Sequence, residues 1–133
     1  MLAALSCLTL SVSLFISACG GDDPVEPTPV ALSLASLGSY EGGAGAAEIT
    51  AYDSRTRRLF VVNGAAGTVD VLDMADPTKP TKVSTISVSA IGDGVNSVAV
   101  YDGLVALAIQ ANPKTSAGKV AFVDAASLAI LNT

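Results

Sequence analysis

Histidine is missing from this chain of 133 residues, and so is tryptophan. Without histidine the commonest general base is lost, and no Ser-His pair for nucleophilic catalysis can be assembled. No Gly-x-Ser-x-Gly elbow occurs either, so a hydrolase site would have to draw on residues outside this segment. Charge is scarce: 14% of residues are charged, twelve acids against seven bases, for a formal net charge of −5. Three of those acids, Asp22, Asp23 and Glu26, lie together near the N-terminus, and the remainder is nearly balanced. Nothing in it resembles the clustered Lys and Arg that phosphate backbones require, so nucleic acid is not an expected partner. The one basic cluster, Arg55, Arg57 and Arg58, reads as a solvated hairpin loop. Long amphipathic helical periods are also lacking. What is present is a set of short apolar runs punctuated by Gly, Pro, Asn and Asp, the pattern of an all-β protein.

Met1 to Ala18 is uncharged and rich in Leu, Ala, Ser, Val, Phe and Ile, then ends in small residues before Cys19. A stretch this short, followed by polar, Pro-rich sequence, reads as a secretory signal over residues 1–18 rather than a membrane span. Ile16-Ser17-Ala18-Cys19 resembles the bacterial lipobox, in which the cysteine thiol receives a diacylglyceryl group and becomes the first residue of the mature protein. Under that reading Cys19 is the lipidation site, and no cysteine is left for a disulfide or a metal site. No Lys or Arg precedes the apolar run, where a signal normally carries positive charge, and a start upstream of Met1 would account for this. Residues 19–29, with glycines, acids and prolines, cannot bury a core and are expected to act as an extended tether from the membrane.

Beyond the tether the chain repeats. Ala47 to Asp53 lies over Asn96 to Asp102, both ending in Tyr-Asp; Leu59 to Val62 lies over Leu104 to Leu107; and Val69 to Asp73 lies over Val120 to Asp124. A fourth strand follows at Lys82 to Val88, with a counterpart near Leu128 to Leu131. Repeats of forty to fifty residues with four short strands each mark β-propeller blades. The expected fold is therefore a partial propeller over residues 30–133: a closing strand at 30–40, a first antiparallel blade at 45–90 and a second at 94–133 that is cut short. Since propellers use about four to eight blades, further blades would be needed for closure. Two alone would leave both flanking faces apolar and prone to association.

Val69-Asp70-Val71 followed by Leu72 to Pro80 resembles the bacterial propeller repeat named for its Leu-Val-Ile-Val-Asp strand. A wider set is similar to the start of the choice-of-anchor I family: Leu37 to Tyr40, Gly45 to Ile49 with Ala51-Tyr52-Asp53, Arg58 to Gly64, and Gly94 to Val100. The resemblance implies an exported bacterial propeller protein held at the cell surface, here by a lipid on Cys19. It says little about activity, because the family is named for its anchoring.

Gly42-Gly43-Ala44-Gly45 lacks the Gly-Lys-Ser/Thr of a phosphate cradle and reads as a connection into an innermost strand. Ser89 to Gly94 plays the same part before the second unit. Both connections should bring Glu41, Glu48, Asp93 and Asn96 to one rim or to the channel mouth, as candidate binding residues. Glu48 stands out as a carboxylate opening an otherwise apolar strand, where burial without a partner is costly. Asp53, Asp73, Asp102 and Asp124 fall at strand ends, where Asp accepts turn N–H groups, and with Asp70 and Asp76 they form no Asp-x-Asp-x-Asp-Gly calcium loop. No catalytic residue, metal ligand or cofactor is evident. The expected protein is a lipid-anchored scaffold of the bacterial cell envelope, at the outer membrane or cell surface, whose propeller binds a protein, glycan or matrix ligand. The alternative is an exported phosphoesterase, with calcium entering only there and the site mostly in further blades.

Overall fold

The computed structural model describes residues 31–133. The signal, Cys19 and the tether expected before them lie outside the described residues. Eight strands follow in chain order: β1 (Thr50–Asp53), β2 (Arg58–Asn63), β3 (Thr68–Asp73), β4 (Thr81–Ile86), β5 (Gly94–Tyr101), β6 (Leu104–Gln110), β7 (Lys119–Asp124) and β8 (Ile130–Asn132). They form two four-stranded antiparallel meanders, β1-β2-β3-β4 and β5-β6-β7-β8. No helix occurs among the described residues. The architecture is all-β with two propeller-type blades, as the repeat predicts, and the two sheets do not close a ring.

Local chemistry sets the hairpins. Tyr101 pairs with Leu104 across a two-residue turn, Asp102-Gly103, in which both residues have positive φ (46° and 82°). That is the geometry of a type I′ turn, whose twist matches the flanking strands and which Asp-Gly adopts readily. The matching turn of the first sheet is longer, spanning Ser54 to Arg57. It is held by the buried Asp53 carboxylate, which accepts the Thr56 N–H at 3.0 Å and the Thr56 hydroxyl at 2.6 Å. β1 starts three residues later than the apolar pattern suggests, because Ala47 takes a positive φ of 62° and breaks the extended run. Pairing nonetheless reaches back to Glu48, whose N–H donates to the Val62 carbonyl at 3.1 Å.

The two sheets share one core. Phe60 pairs with Val71 and Val62 with Val69, so these four lie on one face of the first sheet, and all are fully buried. They cluster with Val95, Val98, Val105, Leu107, Ala121 and Val123 of the second sheet, whose first strand, β5, packs against β1, β2 and β3. Val95 and Val98 are three residues apart, yet both face the core. A bulge at Asn96 restores the alternation, since Val95 pairs with Ile109 and Ser97 with Ala108, leaving Asn96 over.

Stacking the sheets in tandem fixes which positions are equivalent. Leu59, Val61, Asp70 and Leu72 form the face of the first sheet turned away from the second. Their counterparts are Val105, Leu107, Ala121 and Val123, the face of the second sheet turned toward the first. The third strands therefore align as the sequence comparison has them, Asp73 over Asp124. The first two are displaced by one: Leu59 matches Val105 rather than Leu104, and Tyr52-Asp53 match Val100-Tyr101. The repeated Tyr-Asp letters mislead because Asp53 ends a strand, whereas Asp102 sits inside a turn.

Residues 31–40, the described part of the expected closing strand, form no strand. Gly38 to Tyr40 cross the outer face of the first sheet instead of extending its edge, and no strand of a sheet of its own lies beside this segment to pair with it. A Cβ at Gly38 would lie 2.6 Å from the Pro77 carbonyl oxygen, so only glycine allows this approach. There the Tyr40 hydroxyl bonds to Asp70, and Val61, Asp70 and Leu72 on this face are at most 3% exposed. Only one of the two flanking faces expected to be bare is so.

Candidate functional site

Three of the four residues expected at the rim meet in one cleft. Glu48, just before β1, and Asp93 and Asn96, at the start of β5, line a space of about 350 Å³ with Gln110, Lys114 and the β2–β3 turn Gly64 to Gly67. Glu41 is exposed and does not line it. The floor is backbone: a Cβ at Gly67, where φ is +66°, would come within 3.3 Å of the Gly94 Cα, so glycines let the two sheets close here. Glu48 rests on the opposite wall, where a Cβ at Gly64 would lie 2.5 Å from its carboxylate. Asp93 is fixed by its own N–H, which donates to the Gln110 carbonyl at 2.8 Å, and the Gln110 amide approaches its carboxylate at 3.5 Å. Asn96 enters through the bulge, a common device for turning a side chain toward a site.

This lining is almost wholly polar: two carboxylates, one ammonium, two amides and exposed turn backbone. It offers many acceptors to a ligand bearing N–H or O–H donors and little apolar surface to a greasy one. Glu48, Asp93 and Asn96 are all exposed, so none carries the desolvation expected for a carboxylate opening an apolar strand. Among the described residues no three His, Cys, Asp or Glu side chains come together as a metal-binding group.

Most other aspartates serve turns. Asp73 accepts from the Ala75 N–H at 2.8 Å, Asp76 from the Thr78 N–H at 3.0 Å, and Asp124 from the Ser127 N–H at 2.6 Å. The Ser127 backbone bond is the main reason the Asp124 carboxyl is held below the usual aspartate range. Asp102 differs, accepting from the Arg55 guanidinium at 3.1 Å while its own carbonyl accepts from the same nitrogen at 2.9 Å. Arg58 donates to the carbonyls of Ala125 and Ala126 at 2.7 and 2.6 Å. Two of the three arginines assigned to a solvated loop therefore tie the sheets together at the end opposite the cleft. Arg58 in particular satisfies two carbonyls that the β7–β8 turn leaves open.

Asp70, weighed in the sequence only as a calcium ligand and set aside, is a mid-strand carboxylate only 2% exposed. Lys82 lies 2.7 Å from it, the Tyr40 hydroxyl donates to it at 3.1 Å, Thr85 at 3.3 Å and Asn63 at 3.4 Å. Burial alone would raise its pKa, but the bonds from Lys82, Asn63 and Tyr40 outweigh burial and hold the carboxyl below the usual range. The Tyr40 hydroxyl is pushed up by burial and by its bond to the same carboxylate. Asp70 thus pins the N-terminal segment to the outer face of the first sheet. The available signal was a charge placed between Val69 and Val71 in a strand buried on both sides.

Comparison with known families matches residues 48–133 to the choice-of-anchor I domain, a span covering both sheets and the whole cleft. Comparisons with curated proteins and with solved structures return no match. The matched span exceeds half of the chain, and the protein therefore belongs to the choice-of-anchor I domain family of surface-anchored bacterial proteins.

Proposed function

We propose that this chain is a lipid-anchored scaffold of the cell envelope that binds a polar extracellular ligand, glycan or protein, in the cleft between its two sheets. The observation carrying the binding half is the convergence of Glu48, Asp93 and Asn96, which are separated in sequence by up to a whole repeat, at one polar opening. Gln110 and Lys114 complete a lining able to meet hydroxyls and amides with acceptors and an anionic group with one ammonium. The anchoring half rests on the Ser17-Ala18-Cys19 sequence and on the tether after it. Several acyl chains on Cys19 would hold the protein firmly, at about 0.8 kcal/mol per buried methylene.

Each half has its own test. Cells fed a labelled fatty acid are expected to incorporate it into the wild-type chain, while the Cys19→Ala variant stays unlabelled and unprocessed; label on that variant would refute the anchor. For the cleft, the protein is screened against glycans and envelope proteins. The double variant Glu48→Gln, Asp93→Asn is expected to weaken the captured interaction at least tenfold without changing the unfolding midpoint. Equal binding by wild type and variant would place the ligand elsewhere.

A further inference from the structure

We propose that Asn63 and Asp70 are positioning residues of the cleft: they hold the Gly64 to Gly67 turn that forms one of its walls and tie that turn, through Tyr40, to the N-terminal segment. Their role in function rests on the cleft being the binding site. Asn63, half-buried at the end of β2, uses both ends of its amide. Its Oδ1 accepts the Ala66 N–H of the turn at 3.1 Å, and its Nδ2 donates to an Asp70 oxygen at 3.4 Å. The Tyr40 hydroxyl donates to the same oxygen at 3.1 Å. Tyr40, Asp70, Asn63 and Ala66 thus form one relay from the outer face of the first sheet to the cleft.

A second tie runs beside the first. The Gly45 carbonyl, on the segment that follows Tyr40, accepts the Ala65 N–H at 2.9 Å, and the Glu48 N–H donates to the Val62 carbonyl at 3.1 Å. A Cβ at Gly45, where φ is +72°, would lie 3.3 Å from the Ala65 Cβ, so segment and turn run in close contact. The stretch that carries Glu48 into the cleft is therefore held at Tyr40, at Gly45 and at Glu48 itself. Both Glu48 and the facing turn take their places from the seating of this one segment.

The sheet alone does not ask for this polar pair. Where the first sheet has Asn63 and Asp70, the second has Ile109 and Ala121, both buried in the shared core. Well-packed apolar residues are often as stabilising as buried ionic groups, so burying a carboxylate here brings the sheet little that an apolar side chain would not. What Asp70 does bring is a common acceptor for Tyr40, Asn63 and, from β4, Lys82 and Thr85.

Amide hydrogen exchange of the purified chain, read residue by residue by NMR at neutral pH, tests this without any ligand. Its result is therefore separate from whether the cleft binds. Tyr40→Phe, which removes only the distant hydroxyl, is expected to lower the protection of the Ala65 and Ala66 amides about three- to tenfold, the worth of one hydrogen bond. Asp70→Asn should act on the same two amides. The Ala75 amide, bonded in the same manner to Asp73 at the other end of β3, should keep its wild-type rate in both variants. A fall shared equally by Ala75 would mean a general loosening of the sheet. Unchanged rates at Ala65 and Ala66 would mean that the turn is held by its own backbone. Either result overturns the proposal.

Discussion

Replacing Phe60 with alanine is expected to lower the stability of the chain by about 3–5 kcal/mol, the range for truncating a fully buried aromatic. Phe60 is the largest side chain of the core, is 0% exposed, and lies where the first sheet meets β5 of the second. Its loss removes apolar burial and opens a cavity at that junction, and neither sheet can collapse into the gap without breaking the register of its neighbours. A small domain has roughly 5–15 kcal/mol in total, so the variant would lose a large share of what it has. Urea unfolding at neutral pH checks this against Val83→Ala. Val83 is 52% exposed on β4, and its truncation should stay within about 0.5 kcal/mol of wild type. Equal midpoints for the two variants would mean that the shared core does not hold the sheets together.

Asp70→Ala is expected to cost roughly 2–3 kcal/mol at pH 7, the scale of hydrogen bonds to a charged group lost from a buried position. Lys82 is 41% exposed at its side chain and can turn to water, which keeps the cost below that of stranding a fully buried ion. The sharper readout is pH. The Asp70 carboxyl lies below its unfolded value when folded, so its contribution is fully present above the unfolded pKa and is lost as pH falls through the folded one. Wild type should therefore weaken as pH drops below about 4, the ordinary aspartate range. Asp53, held low by Thr56 against the effect of burial, acts in the same direction. Asp70→Asn should flatten this acid limb without abolishing it. On the alkaline side the folded pKa values of Tyr40, raised by burial, and of Lys82, raised by its bond to Asp70, both exceed the unfolded ones. Their contributions are present below the unfolded values and fade as pH rises through the folded ones, so stability should also decline above about pH 10. An Asp70→Asn variant whose acid limb matches that of wild type would show that this carboxylate does not pin the N-terminal segment.

Much of this architecture was legible in the letters. Val69 and Val71, whose strand pattern returns some fifty residues on, and the prolines at 77 and 80 specify strands and a turn because alternation and backbone restriction act locally. The turn duties of Asp73, Asp76 and Asp124 follow from the same local chemistry. The gathering of Glu48, Asp93 and Asn96 was also foreseeable, since both connections enter innermost strands. Glu41 escaped that logic: exposed and short of the first innermost strand, it is not carried to the cleft. The exact repeat register failed for a related reason. Turns of two and four residues shift neighbouring strands by one, and identical Tyr-Asp pairs fall on either side of that shift.

By itself, then, the sequence determined strand content, the fourfold meander of each repeat, the hairpin chemistry and the rim where polar residues gather, because these rest on contacts near in the chain. Only the tertiary structure decided which face of each sheet is covered. Phe60 and Phe122 look alike in sequence, yet one is buried between sheets and the other stands in solvent; Asp70 looks like a surface residue, yet it is enclosed by Tyr40 and Lys82. Burial is a property of what packs on top, and that is set by the stacking of whole sheets and not by the residues beside each position.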